Sequence, residues 1–198
     1  MSSTVSSSYN LRLMREKEET QKIIGDLGNF TTRSGQLVKL RYLEKRDAPL
    51  LVDLFNHLSV ESRRMRFQCY TEKLPDKRVW QEAARLANLD PQCHLAIMAT
   101  ITEADGRECA VGVTRLARAY PHDKEVEVAI VVRDDFQRNG LGKYLLRKLA
   151  ERAKALGITH FTGWVLAENV RLMKLIENLE VPVESEMRYG QRKIRVPI

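Results

Sequence analysis

The chain has 198 residues, of which 43% are hydrophobic and 30% are charged. These values are ordinary for one globular domain, and they exclude a fibrous repeat or a chain that is disordered throughout. The formal net charge of +7 favours anionic partners, but acidic residues interrupt nearly every basic cluster. The densest basic stretches, 63–66 and 188–195, are therefore interpreted as solvated faces, and no nucleic-acid partner is indicated.

Metal binding and membrane insertion are not predicted. Cys69, Cys93 and Cys109 fit no zinc or disulfide spacing, and the four histidines are spread along the chain. No stretch reaches the ~18 consecutive apolar residues of a membrane span. The serine-rich N-terminus also lacks the apolar core of a signal peptide. We therefore expect no metal, no membrane partner and a cytoplasmic location.

In chain order, residues 1–35 are predicted to form an N-terminal tail, with an appended helix within 11–25, and the main domain is predicted to cover 36–198. An alternating pattern predicts a first strand at 37–43. Helices are expected to begin after Asp47, Ser59 and Pro75.

The second half of the chain contains β-branched runs alternating with helical ones. Strands are predicted at 93–102, 109–119, 126–132 and 158–166. A helix at 141–156 separates the last two strands, a further helix follows Asn169, and a hairpin around Tyr189-Gly190 closes the chain. Short turns between the first three strands predict an antiparallel meander, and a strand–helix–strand unit predicts one parallel pair. The fold class is therefore α/β, a mixed and mostly antiparallel sheet with flanking helices.

The segment between strand 126–132 and helix 141–156 is suited to an anionic ligand. Gly140 and Gly142 let the backbone approach a ligand closely. The following helix contributes N–H groups and the positive end of its dipole to the same concavity. Arg138 and Lys143 add positive charge. Such a turn is suited to a pyrophosphate.

Two familiar phosphate loops do not match this segment. The Walker A pattern fails because Tyr144 replaces the required Ser or Thr, and the dinucleotide pattern fails because Leu145 replaces its third glycine. The run Q-R-N-G-L-G at 137–142 instead resembles the pyrophosphate loop of GNAT acyltransferases. The order of elements from about residue 37 to the C-terminus also resembles that family.

The resemblance implies a GNAT fold with acetyl-CoA as co-substrate. In that fold the two parallel strands splay apart, and the pantetheine arm lies between them. Asn169 is equally well explained as a helix cap alone. The cofactor-binding residues that the resemblance implies are Val131, Val132, Arg133, Gln137, Arg138, Asn139, Gly140, Leu141, Gly142, Lys143 and Asn169.

Two stretches, 46–67 and 127–142, are similar to bacterial protein lysine acetyltransferases, including those that modify acetyl-CoA synthetase. A lysine amine has a pKa of ~10.4 and is nucleophilic only when neutral, so the reaction needs a base. The strand position and the resemblance both select Glu127 for that role. A backbone N–H near Ile130 or Val131 is expected to bind the oxyanion. The tyrosine that many GNAT enzymes use as general acid is replaced by Ile176, which leaves the general acid unassigned.

Three functions remain open at this point. The first is acetylation of protein lysine side chains by direct transfer from acetyl-CoA. The second is acetylation of a small-molecule amine, and the third is a non-catalytic module that binds acyl-CoA. The sequence leaves the acceptor, the preferred acyl chain and the oligomeric state open.

Overall fold

The computed structural model describes residues 26–69 and 74–198, so the predicted tail and the predicted helix within 11–25 lie outside it. The described residues form an eight-stranded sheet in the order β1-β2-β3-β4-β5-β6-β8-β7. The strands are β1 Asn29–Thr31, β2 Leu37–Tyr42, β3 His94–Thr102, β4 Glu108–Ala117, β5 Glu125–Val132, β6 His160–Leu166, β7 Glu184–Arg188 and β8 Gln191–Pro197. The helices are α1 Ala48–Asn56, α2 Val60–Phe67, α3 Asp76–Ala87, α4 Leu141–Ala155 and α5 Val170–Glu177.

The topology confirms the predicted mixed sheet. Strands β1 to β5 form an antiparallel meander, β5 pairs with β6 in parallel, and β6, β8 and β7 are again antiparallel. Strand β1 is not predicted from the sequence, and its pairing with β2 means that the sheet begins before residue 36. The division of the chain at residue 36 stays a prediction. Strand β7 is the outer edge strand, and all five of its residues are exposed.

Both faces of the central strands are covered by helices. On one face α4 buries leucines such as Leu145 and Leu149 against Ile97 of β3 and Leu116 of β4. On the other face Leu54 of α1 and Leu58, which follows this helix, pack on alternate positions of β3, including Ala96 and Met98. Burial on two faces explains why the β3 sequence is a nearly continuous apolar run rather than an alternating one. Within the described ranges, every helix is too short or too polar to cross a lipid bilayer.

Asp47 stands at the start of α1, as predicted, but its carboxylate does not cap that helix. It accepts hydrogen bonds from Glu44 N at 2.8 Å and from two nitrogens of Arg41 at 2.6 and 2.9 Å. Arg41 also binds Glu108 at the start of β4 at 2.9 Å. Burial acts to raise the pKa of Asp47, but the bonds from Arg41 and Glu44 outweigh it and hold the pKa below its ordinary value. The cluster joins β2 and β4 to the entrance of α1.

The parallel pair β5–β6 is paired over only three positions, which end at Glu127 opposite Thr162. Beyond them β5 continues alongside β4, while β6 continues alongside β8. The two strands therefore part after Glu127 and leave a wedge-shaped gap, hereafter the fork. Gly163 is required near its apex, because a Cβ there would lie only 3.3 Å from the Val128 carbonyl oxygen. The predicted splayed pair is confirmed.

The α4 face of the core gives a direct test of the packing. Leu149 is 0% exposed, whereas Leu37, the first residue of β2, is 61% exposed. We expect Leu149→Ala to lower the free energy of unfolding by about 2–5 kcal/mol, because it removes a buried side chain and leaves a cavity. Leu37→Ala should change it by less than about 0.5 kcal/mol. Urea denaturation followed by circular dichroism measures both, and equal losses in the two variants would contradict this packing.

Candidate active site

The segment that leads from β5 into α4 places a left-handed turn at the wide end of the fork. A 3-10 turn at Asp134–Phe136 follows β5, and the backbone of Arg138 (φ 59°) and of Gly140 (φ 90°) is left-handed. A positive φ is uncommon for a residue other than glycine, so Arg138 is held by the shape of the turn. Among the described residues no side chain caps α4 at Gly140. The first N–H groups of α4 are therefore available to a ligand.

The backbone of β5 offers alternate groups to the fork. Thr114 Oγ1 on β4 donates to the Ala129 carbonyl at 3.4 Å, so the main-chain groups of Ala129 face β4. Strand alternation puts Val131 on the same side as Ala129, and it directs the groups of Ile130 and Val132 toward the fork. Of the two residues proposed for oxyanion binding, Ile130 is thus the one whose N–H faces the gap.

Backbone groups of Arg133 and Val132, two further residues predicted to bind the cofactor, form hydrogen bonds inside the protein. Arg133 N donates to the Val111 carbonyl at 2.9 Å, on the β4 side. The Val132 carbonyl accepts a hydrogen bond from Gln137 Nε2 at 3.0 Å. Gln137 therefore fixes the loop onto the end of β5, and Val132 keeps its N–H directed at the fork.

Asp134 anchors helix α2 to this loop. Its carboxylate accepts hydrogen bonds from Ser59 N and Ser59 Oγ, both at 2.9 Å, and from Ser62 Oγ at 2.7 Å. Gln137 Nε2 donates to the same Ser62 hydroxyl at 3.2 Å. Burial acts to raise the pKa of Asp134, but the bonds from Ser59 and Ser62 outweigh it and hold the pKa below its ordinary value. This anchor is not predicted from the sequence, because its partners lie more than 70 residues away.

Helix α5 lies against the other side of the loop. Asn169 accepts a hydrogen bond from Leu172 N at 3.1 Å, which confirms its role as the N-cap of α5; its contact with the cofactor stays a prediction. Lys143 Nζ donates to the Asn178 carbonyl at 2.8 Å. Arg171 on α5 reaches Gln137 Oε1 at 3.4 Å. The loop, α4 and α5 thus form one side of the fork.

A cavity of about 380 Å³ opens at the apex of the fork. Among the described residues that line this cavity, Glu127 is the one with an acidic side chain, and it is exposed. Within the described parts of the chain, the Glu127 carboxylate forms no hydrogen bond or ion pair. The remaining lining residues are Arg66, Phe67, Gln68, Trp164 and Gln191.

A larger cavity, of about 790 Å³, lies elsewhere and holds none of the predicted site residues. It is bounded by residues from β2, β3 and the end of α3, including Tyr42 and His94. We assign the candidate active site to the smaller cavity, because it adjoins both Glu127 and the fork.

Polar side chains hold the C-terminal end of α2 over the candidate cavity. Gln68 ends the helix with a left-handed backbone, and its Nε2 donates to the Trp164 carbonyl at 2.5 Å. Gln191 Nε2 on β8 donates to Gln68 Oε1 at 2.7 Å. Arg64 forms an ion pair with Glu168, just beyond β6. Helix α2 is therefore bound at one end to the loop and at the other end to β6 and β8.

The interpretation of 63–66 as a solvated basic face is wrong for two of its residues. Arg63 donates to the Phe55 carbonyl at 3.0 Å, and its guanidinium lies 4.3 Å from the centre of the Phe55 ring. Arg66 lines the cavity, and burial lowers the pKa of its guanidinium, with Arg115 lowering it further. The position of Arg66 was not predictable from the local pattern, because neighbouring residues of the cavity, such as Trp164 and Gln191, come from distant parts of the chain.

This combination of fold, loop and fork matches a known family. The sequence profile of the acetyltransferase (GNAT) family matches residues 59–180, a segment that includes the loop, Glu127 and Asn169. The chain belongs to this family. The predicted membership is confirmed.

Individual relatives agree with that assignment. Acetyltransferase Pat of Mycolicibacterium smegmatis is 32% identical over 84 residues, which make up 42% of this chain and 25% of that protein. The GNAT domain of S. lividans PAT is 25% identical with a TM-score of 0.74, over 86% of this chain and 96% of that one. PaiA N-acetyltransferase from Thermoplasma acidophilum, in complex with coenzyme A, shares the fold with a TM-score of 0.58 and 18% identity, over 81% and 99%. This chain thus spans about a quarter of the curated relative that it matches.

The Asp134 anchor can be tested by removing its charge. We expect Asp134→Asn to lower the free energy of unfolding by about 1–3 kcal/mol at pH 7, because it weakens hydrogen bonds to a charged acceptor. Asp135→Asn is the matched control: its carboxylate is exposed and pairs with Arg133, so we expect a change below about 1 kcal/mol. Chemical denaturation measures both variants.

The direction of the Asp134 pKa shift determines how the stability difference between wild type and Asp134→Asn depends on pH. The folded pKa of Asp134 lies below the unfolded value of about 3.9. The contribution of the Asp134 carboxylate to the free energy of unfolding is therefore complete above about pH 4 and is lost as the pH falls through the folded pKa. The difference in stability between wild type and Asp134→Asn should shrink below about pH 4. A difference that grows on acidification would contradict the assigned bonds.

Proposed function

We propose that this protein transfers the acetyl group of acetyl-CoA directly to the side-chain amine of protein lysines, with Glu127 as the general base. The observation that carries the proposal is the position of Glu127, the last paired residue of β5, at the point where the fork meets the cavity. The similarity to Acetyltransferase Pat and to the S. lividans PAT domain supports a protein acceptor.

The residues of the fork fit a pyrophosphate and an extended pantetheine arm. The N–H groups at the start of α4 and the Arg138 side chain suit the pyrophosphate, and the Ile130 carbonyl and the Val132 N–H suit the arm. Gly142 leaves space between β5 and α5, since a Cβ there would lie 3.3 Å from Leu175 Cδ2. Acetyl-CoA supplies the thioester carbonyl that the acceptor attacks.

In the proposed reaction, the neutral lysine nitrogen forms a bond to the thioester carbonyl carbon and the carbon–sulfur bond breaks. The products are the amide and the CoA thiolate. The Glu127 carboxylate takes the proton that the nitrogen loses, and the Ile130 N–H stabilises the oxyanion. Ile176 has an aliphatic side chain and therefore cannot donate a proton to the thiolate. It is buried in an apolar cluster with Val165 and Ile194. Solvent protonates the thiolate in this scheme.

Cofactor binding by the loop is tested with Arg138→Gln. We expect its dissociation constant for acetyl-CoA to rise about tenfold, because a charge-assisted contact with the pyrophosphate is lost. Arg147→Gln is the matched control, since Arg147 is exposed on α4 two turns further along. Isothermal titration calorimetry at two salt concentrations should show a weaker salt dependence for Arg138→Gln. Equal affinities for both variants would contradict the assigned loop.

The base is tested with Glu127→Gln, which we expect to lower kcat by about 10²–10⁴-fold while the acetyl-CoA affinity stays at the wild-type level. Glu125→Gln is the matched control. Glu125 lies two residues earlier on the same face of β5, but it pairs with Arg195 at 2.7 Å and does not line the cavity. Its kcat should remain close to that of wild type. Release of CoA measures the rate.

The protein acceptor is tested with a deacetylated lysate and acetyl-CoA, followed by mass spectrometry of acetylated lysines. Sites that appear with wild type and Glu125→Gln, and disappear with Glu127→Gln, support the proposal. If wild type acetylates small amines but no protein lysine, the protein acceptor is wrong. If Glu127→Gln keeps the wild-type rate, the assigned base is wrong.

A further inference from the structure

Two arginines lie near Glu127: Arg66 in the lining of the candidate cavity, and Arg115 beside Glu127 on the neighbouring strand β4. Arg66 reaches the cavity from α2. Arg115 lies on β4, on the same sheet face as Glu127, because Arg115 pairs with Ala129 and Ala117 pairs with Glu127. This register makes Arg115 and Glu127 diagonal cross-strand neighbours, whose Cα atoms are typically about 7–8 Å apart. Both arginines are half-buried.

Among the described residues, no carboxylate or carbonyl oxygen binds either arginine, although the Arg66 guanidinium lies 5.2 Å from the centre of the Phe67 ring. In the described ranges, neither Arg66 nor Arg115 donates a hydrogen bond or forms an ion pair. Arg85 on α3, a third member of this group, is instead held by Glu82 at 2.5 Å. Burial lowers the pKa of both unpaired guanidiniums, and the charge of Arg85 adds to the effect at Arg115. The charges of Glu82 and Glu127 oppose this lowering, and of these two carboxylates only that of Glu127 has no hydrogen-bond partner among the described residues.

The excess positive charge has two consequences for an acceptor. It favours the neutral, nucleophilic form of an amine that arrives beside Glu127. It also disfavours cationic groups next to that amine and favours anionic ones. The charge of Arg115 also acts on His94 at the start of β3. Burial lowers the pKa of the His94 imidazole, and Arg115 lowers it further. Partly buried guanidiniums without a partner are costly, and an anion that pairs with them removes that cost.

We propose that Arg66 and Arg115 form an anion site that binds a carboxylate carried by the acceptor beside its reactive amine. The inference rests on the proposed function and narrows its substrate class to lysines that are flanked by Asp or Glu. The α-carboxylate of a free amino acid is the other source of the same group. The planar guanidinium suits a carboxylate, since it donates two parallel hydrogen bonds.

The test uses the full-length enzyme and two peptides that each carry one lysine and differ only in having Asp or Asn on both sides of it. The ratio of kcat/KM for the Asp peptide to that for the Asn peptide, followed by CoA release, should be at least about tenfold for wild type. Arg66→Gln and Arg115→Gln should bring this ratio close to one. Arg66→Lys and Arg115→Lys should retain part of it, because they keep the charge.

The matched control is Arg107→Gln, which removes one positive charge at the β3–β4 turn, at the opposite end of β4 from Ala117. It should keep the wild-type ratio. Because the ratio is taken within each variant, a general loss of activity does not alter it, and acetyl-CoA affinity verifies that each variant is folded.

The outcomes separate this inference from the proposed function. Peptide acetylation with a wild-type ratio near one, or a ratio that persists in both Gln variants, overturns the anion site and leaves lysine acetylation in place. Acetylation of free amino acids but not of their amides, together with inactivity on both peptides, supports the anion site and overturns the protein acceptor.

Discussion

The limited pairing of β5 with β6 is the constraint on which the site depends. After three paired positions each strand keeps only its outer neighbour, β4 or β8. The N–H groups of Ile130 and Val132 then face the gap, where a ligand can extend the sheet. Glu127 lies at the apex because it is the last residue to be paired. The position of the carboxylate relative to the cofactor gap is thus a property of strand register rather than of a flexible loop.

Helix α2 is the second organising element, because it is fixed to both halves of the site. Asp134 binds its first turn to the loop that follows β5, and Gln68 binds its last residue to β6. Arg66 lies between these two attachments and enters the cavity. A displacement of α2 therefore changes the loop that follows β5 and the wall of the candidate cavity together, whereas each of its hydrogen bonds alone contributes modestly to stability.

The sequence predicted most of the scaffold and the part of the site that is contiguous. The loop at 137–143 and the parallel pair follow from local patterns around β5 and α4, where glycine spacing and hydrophobic periodicity are informative, whereas Glu127 was selected by its strand position together with the family resemblance. The three-residue strand β1 was missed, because so short and polar a segment has no periodicity. The candidate cavity was not predicted, because its lining residues Arg66, Trp164 and Gln191 come from α2, β6 and β8, which only the complete fold brings together.

The two ends of the sheet also constrain how copies of this protein meet. At one end β1 offers only three residues, and at the other every residue of β7 is exposed. Strand β7 carries Glu184, Glu186 and Arg188, and charged side chains on an edge strand discourage pairing with another sheet. Neither end is a favourable template for adding a strand from a second molecule. Self-association is therefore expected to use helical or loop surfaces, and growth by stacking sheets edge to edge is disfavoured.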